Sequence, residues 1–321
     1  MEDEIKSVII IGGGLGGNNP GLLNRLMSDL GLAVAQYLKE SNIKVTVYER
    51  DVAPYGRSQG YLIGLNEKGI EVVSSLDIPG IEPFLAFNDC GGFTMTDEQL
   101  KVLLKVSGST ETCSTALVNR WKLRDLLTQG VNIEWNKKFV RYEEFPDHVV
   151  AHFEDGTTAK ADILIGADGA KSQVRTQRCP NLKYEYTGVS NVAGFLPIPS
   201  DDSLKNVINA SLKTLLRVVS KSGISMLVLP FKDENNTNCL LWAISYTSPI
   251  EFKYPDDKNE LIKIVKEKAK DFHPELQKMV GLTPLDNLLD ARKVHSMTAP
   301  TEKNPYGKLN RVTMLGNSLH L

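Results

Sequence analysis

Gly12, Gly14 and Gly17 satisfy the spacing G-x-G-x-x-G directly behind the apolar run Val8–Ile11. That spacing suits a dinucleotide pyrophosphate. The first glycine permits a tight strand-to-helix turn, the second lets phosphate approach the backbone, and the third lets the helix pack on the strand. Alone the pattern is weak, because glycine-rich turns are common; its place behind a buried strand strengthens it. An acidic residue at the end of the next strand would accept hydrogen bonds from ribose hydroxyls, and Glu49 stands at the end of Lys44–Tyr48. The customary offset is ~20 residues. Here it is 49 − 17 = 32. Removing the 14 residues Asn18–Gly31 brings the offset to 32 − 14 = 18 and joins Gly17 to Leu32. The turn signal Asn18-Asn19-Pro20-Gly21 marks this stretch as an insertion, either one that displaces the first helical turn or an unusual loop that bulges harmlessly.

No other constellation points to chemistry. Cys90, Cys113, Cys179 and Cys239 form no C-x-x-C pair, so a zinc or thioredoxin-like site is not expected. The five histidines are scattered, and no Ser-His-Asp set or paired-carboxylate signature is visible. No side chain is assigned a catalytic role and no metal is expected.

These residues need a scaffold. The chain has 321 residues, 41% hydrophobic and 24% charged, enough for two domains with sizeable cores. Its 37 basic and 39 acidic residues leave a net charge of −2, so no field attracts nucleic acid. The acidic start Met1-Glu2-Asp3-Glu4 is unlike a secretory signal, and no apolar run reaches a membrane span, so a cytoplasmic protein is expected; membrane association stays open. Val8–Ile11, Lys44–Tyr48 and Ala161–Gly166 read as strands of a parallel sheet, buried on both faces, with a helix over Leu32–Glu40. Asn66 and Asn119 are expected helix caps, the latter opening a helix over Arg120–Thr128. Asp155-Gly156 predicts a hairpin between Val149–Phe153 and Thr158–Ala161, and Phe93–Thr96 should pair with Lys101–Val106. Ser225–Leu229 and Cys239–Tyr246 belong to a mostly antiparallel sheet, and 256–280 is helical.

Four ordered segments now carry a resemblance: Val8–Gly17 with Val45–Arg50, the basic helix Leu117–Leu127 with Arg120 and Arg124, Asp162–Arg175, and Arg311–His320. Together they resemble the FAD-dependent aromatic hydroxylases, the p-hydroxybenzoate hydroxylase-like flavoprotein monooxygenases. Asp162–Arg175 is the most specific piece. The resemblance implies an α/β fold: a doubly wound, Rossmann-like FAD-binding domain from 1–85, 115–180 and 290–321, with an interleaved, mostly antiparallel substrate domain from 86–114 and 181–289. It implies FAD contacts from Gly12, Gly14, Gly17, Glu49, Arg50, Arg57, Arg124, Asp168, Gly169, Gly316 and Asn317. It also implies NADH or NADPH as reductant, O2 as co-substrate, and a small, aromatic or apolar organic substrate that is hydroxylated or epoxidised.

Two departures from the family qualify that expectation. Asn317 stands where the family has an aspartate that binds a ribityl hydroxyl, and charge-assisted hydrogen bonds are the stronger kind. The family continues past this motif into a helix facing the flavin, whereas this sequence closes at His320-Leu321. A catalytically impaired FAD-binding fragment is therefore one alternative, and an NAD(P)-dependent dehydrogenase built on the glycine motif is a second. Substrate identity and oligomeric state are not legible.

Overall fold

The computed structural model describes residues 5–13, 30–54, 62–86, 92–107, 116–212, 214–233, 237–289, 291–297 and 311–318. The chain begins β1 (Ser7–Ile11), α1 (Leu30–Lys39), β2 (Lys44–Tyr48), β3 (Leu62–Leu65), α2 (Glu67–Ser74), α3 (Ile81–Ala86), β4 (Gly92–Thr96) and β5 (Val102–Ser107). It continues with β6 (Ala116–Asn119), α4 (Arg120–Thr128), β7 (Ile133–Glu134), β8 (Phe139–Glu144), β9 (Val149–Phe153), β10 (Thr158–Ala161), β11 (Ile163–Gly166), α5 (Gln173–Arg178) and β12 (Tyr184–Pro197). It ends with α6 (Lys205–Ser211), β13 (Leu215–Val219), β14 (Ser225–Lys232), β15 (Asn238–Thr247), α7 (Lys258–Lys268), α8 (Pro274–Leu282), β16 (Arg292–Met297) and β17 (Val312–Met314).

One sheet is parallel throughout, in the order β17-β11-β1-β2-β7. The uniformly apolar β1 feeds two cores. Val8 and Ile10 point to the side of α1 and α4, where they meet Leu32, Val47 and Leu123. Ile9 and Ile11 point the other way, into a core with Phe139, Val149 and Phe153 of the antiparallel sheet β10-β9-β8. Successive side chains of a strand alternate faces, so a strand covered on both sides reads as a continuous apolar run.

The expected strand over Ala161–Gly166 begins two residues later, as β11, because Ala161 ends β10 in the other sheet. Asp162 forms the corner, its carboxylate accepting from the backbone N–H groups of Lys6 (2.9 Å) and Ser7 (2.8 Å) and from the Ser7 hydroxyl. The expected helix over 256–280 is two helices. Pro274 cannot continue a preceding helix, and it opens α8 with His273 as cap, Nδ1 accepting from the Glu275 N–H at 3.2 Å. Asn66 and Asn119 cap α2 and α4 as expected.

The second large sheet has seven strands in the order β16-β12-β15-β14-β13-β4-β5. Its pairings are antiparallel except β13 with β4. One face is covered by α6, α7 and α8 over a core centred on Trp242. The other face carries Phe195, Leu227, Leu229, Phe231 and Leu241 and meets Leu62 of β3. Residues 292–297, grouped by sequence with the parallel-sheet segments, pair as β16 with the first half of β12, which extends past the end of β15. Among the described residues no helix is long and apolar enough to cross a membrane.

Candidate functional site

In the parallel sheet, successive connections run outward from β1 in opposite directions, to β2 on one side and later to β11 on the other. Ligands of open α/β sheets bind at such a switch point, outside the carboxyl ends of the strands. Gly12 leaves β1 there with φ +100°, and its N–H donates to the Tyr48 carbonyl at 2.9 Å. A Cβ at Gly12 would lie 2.4 Å from the Ala167 carbonyl oxygen and 2.9 Å from Asp168 Cα. The turn after β1 and the turn after β11 therefore touch backbone to backbone, a contact open only to glycine.

Glu49 is buried at the end of β2. One carboxylate oxygen accepts from the Gly13 N–H and the other from the Asp51 N–H, both at 3.0 Å. The side chain thus fixes the glycine turn directly, a role its spacing did not announce. A carboxylate has about four acceptor positions, so capacity for a hydroxyl donor is left over.

Asp168 follows β11, with Gly169 behind it at φ +80°. Its carboxylate accepts from the Ser172 hydroxyl (2.5 Å) and from the N–H groups of Gln173 (2.8 Å) and Val174 (3.3 Å). Ser172 in turn caps α5 by accepting from the Arg175 N–H. Burial pushes the Asp168 carboxyl above the usual carboxylate value, while the bonds from Ser172, Val174 and Gln173 pull it down.

Gly316, Asn317 and Ser318 form a buried 3-10 turn beyond β17, with Gly316 at φ +57°. Arg175, itself buried, ties this turn to the Asp168 loop. It donates to the carbonyls of Asn317 and Ser318, both at 3.1 Å, and to the Ala170 carbonyl at 2.5 Å. The Ser318 hydroxyl donates to the Gly166 carbonyl at 2.7 Å. Arg175 was visible within the Asp162–Arg175 segment, but its acceptors lie 142 and 143 residues away, beyond the reach of local pattern.

Arg124 sits on α4 at the β2–β7 side of the same sheet edge. It is buried, donates from one terminal nitrogen to the Pro54 carbonyl at 2.7 Å, and lies 5.1 Å from the centroid of Trp135. Its Nε and Nη2 are buried without a hydrogen-bond partner among the described residues. Donors orphaned in this way cost free energy until an acceptor arrives, and a pyrophosphate or flavin ring oxygen is such an acceptor. Arg50 is exposed and joins Gly12, Tyr48, Glu49, Phe139 and Asp168 in lining a cleft of about 470 Å³. Gly14, Gly17 and Arg57 lie outside the described residues.

Two residues that sequence reasoning passed over belong to this region. Gly31 lies within α1, which starts at Leu30 rather than Leu32, and a Cβ there would lie 2.3 Å from the Gly12 carbonyl oxygen. Arg217 lies on β13 opposite Met95 of β4 and Leu227 of β14, in the sheet face that meets β3. Burial lowers its pKa, and no hydrogen bond or ion pair reaches it among the described residues.

Comparison with known proteins agrees with this geometry. A family model described as FAD binding domain matches residues 6–283. FAD-dependent monooxygenase thnD of Trichoderma harzianum is 32% identical over 186 residues, 53% of this chain and 40% of the relative. An FAD-dependent urate hydroxylase of Klebsiella pneumoniae is 29% identical over 177 residues, 52% of this chain and 41% of the relative. The matched stretches thus span about two fifths of these curated relatives. Among solved structures, Klebsiella pneumoniae HpxO complexed with FAD and uric acid superposes with a TM-score of 0.74 at 20% identity, covering 98% of this chain and 73% of that one. The 2,6-dihydroxypyridine-3-hydroxylase of Arthrobacter nicotinovorans gives 0.74 at 15% identity, covering 98% and 77%. Identities this low speak for the fold. The chain belongs to the FAD binding domain family, the flavoprotein monooxygenases that its ordered motifs resemble.

Proposed function

We propose that this protein is an FAD-dependent monooxygenase that takes electrons from NADH or NADPH and places one atom of O2 on a small aromatic or otherwise apolar substrate. The observation that carries the reading is the junction of three turns, after β1, β11 and β17, held by Gly12 against Ala167 and by Arg175 against Asn317. Bound FAD would supply the redox chemistry, and the protein would bind, orient and exclude water.

In this reading the Gly12 turn receives the pyrophosphate, with Gly14 and Gly17 following it in sequence. Glu49 offers its remaining acceptor capacity to adenosine ribose, Arg50 lines the approach, and Arg57 belongs to the cofactor contacts that the resemblance implies. Arg124 spends its two orphaned donors on FAD. Asp168 and Gly169 flank the flavin chain, and Gly316 and Asn317 meet the ribityl hydroxyls. The parallel sheet and its flanking segments form the cofactor domain, and the seven-stranded sheet forms the substrate domain.

The face of that sheet opposite α6–α8 supports an apolar substrate, since Phe195, Leu227, Leu229 and Phe231 wall it. Arg217 is a cation set into this wall with Leu227 and Met95 as cross-strand neighbours. A guanidinium in apolar surroundings, with no partner among the described residues, favours an anionic group, so the substrate reads as an acidic aromatic: a carboxylate, phenolate or enolate.

The test is an absorption spectrum of purified protein with added FAD, before and after NADH or NADPH under air. It is followed by oxygen uptake with catalase over a panel of neutral and acidic aromatics. The reading expects bound flavin that bleaches on reduction and substrate-stimulated oxygen uptake. Saturable NAD binding with no response to FAD would overturn it.

A further inference from the structure

Glycine occurs at two places that could seat the helix of the dinucleotide motif: Gly16-Gly17 before the long segment that follows β1, and Gly31 after it. Sequence cannot choose between them. Excising Asn18–Gly31 and excising Gly17–Leu30 yield the same polypeptide, because a glycine precedes Leu32 in both products.

Packing does choose. The chain leaves the sheet at Gly13, whose N–H is held by Glu49, and is helical again from Leu30. At Gly31 an added Cβ would meet the Gly12 carbonyl oxygen at 2.3 Å, Ala167 Cβ at 3.0 Å and Ile10 Cγ2 at 3.3 Å. The first of these is backbone and cannot swing aside. Leu32, Ala33 and Ala35 then bury against the same core as Val8, Ile10 and Val47. The point of departure and the point of return are therefore in contact, across the turn that ends β1.

We propose that Gly31, not Gly17, is the helix-packing glycine of this chain's dinucleotide motif, with residues 14–29 inserted in sequence between its turn and its helix. Gly31 is a positioning residue: it seats α1 against β1 and so sets where the cofactor turn stands. The link from this packing to cofactor affinity rests on the FAD reading above.

Four proteins test it: Gly31→Ala and Gly17→Ala in the full chain, the chain lacking Asn18–Gly31, and that shortened chain carrying Gly17→Ala. The readouts are thermal midpoint without cofactor, FAD affinity by flavin fluorescence, and the 31P shifts of bound FAD pyrophosphate. Overpacking against backbone at Gly31 should lower the midpoint and weaken FAD by about tenfold or more. Gly17→Ala in the full chain should leave the thermal midpoint unchanged, since Gly31 and not Gly17 carries the helix packing. The shortened chain should fold and bind FAD at least as well as the parent, with 31P shifts of one ordered site, and only in that background should Gly17→Ala do damage. Equal damage from Gly17→Ala and Gly31→Ala in the full chain, a silent Gly31→Ala, or a shortened chain that does not fold would each overturn the assignment. If the parent binds no FAD, the FAD reading fails by itself, and the midpoints still decide between the two glycines.

Discussion

Arg175 donates to the backbone carbonyl of Asn317 at 3.1 Å, joining the turn after β11 to the turn after β17. Three carbonyls depend on this guanidinium, those of Ala170, Asn317 and Ser318. Arg175→Met keeps much of the volume and strands all three. With charged hydrogen bonds at ~1.5–3 kcal/mol each and partial relaxation of the carbonyls toward water, we expect a loss of about 2–4 kcal/mol. Urea denaturation of the cofactor-free protein measures it. A loss below about 0.5 kcal/mol, the range of an ordinary surface change, would show that the two turns hold without the arginine.

Arg124 predicts the opposite division between stability and binding. Two of its nitrogens are already buried and unpartnered, so Arg124→Met removes an unpaid cost along with the bond to Pro54. The cofactor-free protein should change by about 1 kcal/mol or less. FAD affinity should fall by about tenfold or more per donor lost, because each bond to phosphate is charge-assisted. A large stability loss with unchanged flavin titration would place Arg124 in the scaffold alone.

Asn317→Asp places at this turn the carboxylate that the resemblance leads one to expect. The position is buried and its own carbonyl already receives the Arg175 guanidinium, so a nearby cation can offset the new charge. FAD should bind several-fold tighter, since a charged acceptor makes bonds roughly twice as strong as a neutral one. Unchanged or weaker binding by isothermal titration would mean that this turn does not reach the ribityl chain.

Arg217→Met should discriminate between substrates. Acidic aromatics should lose about tenfold or more in kcat/KM, chiefly through KM, while neutral aromatics of similar shape change little. Equal effects on both classes would remove the guanidinium from substrate recognition.

Acid stability should depend on Asp162. The backbone N–H groups of Lys6 and Ser7, the Ser7 hydroxyl and the Arg311 guanidinium hold its carboxyl below the usual value. A carboxylate with a depressed folded-state pKa stabilises the fold above its unfolded value, and that contribution is lost as pH falls through the folded value. The difference in thermal midpoint between the parent and Asp162→Asn should therefore be full at neutral pH and shrink below about pH 4. A difference that stays constant down to about pH 2 would assign the clamp to hydrogen-bond geometry without charge.

Much of the scaffold was legible because its causes are local. Asn66 accepts from the Gly69 N–H and Asn119 from the Lys122 N–H, each three residues ahead, so cap and helix start lie in one short window. The hairpin at Asp155-Gly156 and the strand Lys44–Tyr48 are equally local. What stayed hidden is non-local. The corner at Asp162 depends on Lys6 and Ser7, 156 and 155 residues away. Gly31 depends on a carbonyl at Gly12, and Arg217 acquires its apolar surroundings only when β4, β13 and β14 pair. The Asp162–Arg175 segment contained the arginine that joins Asp168's loop to Asn317 but announced no role for it.

The pairing of β17 with β11 also has a consequence in time. Leu164 stands opposite Val312, so the contact closes a loop of 312 − 164 = 148 residues. Loop closure must be met before such a pairing yields anything, which makes it slow relative to local structure. On a ribosome, the strands β1, β2 and β11 are all delivered before residue 312 leaves the exit tunnel. The turn after β17 is therefore built after the turns that follow β1 and β11, and a nucleotide that needed all three turns would have nothing complete to grip until synthesis has passed that strand. A cofactor bound there acts as a late lock on a finished fold, not as a template for an early one.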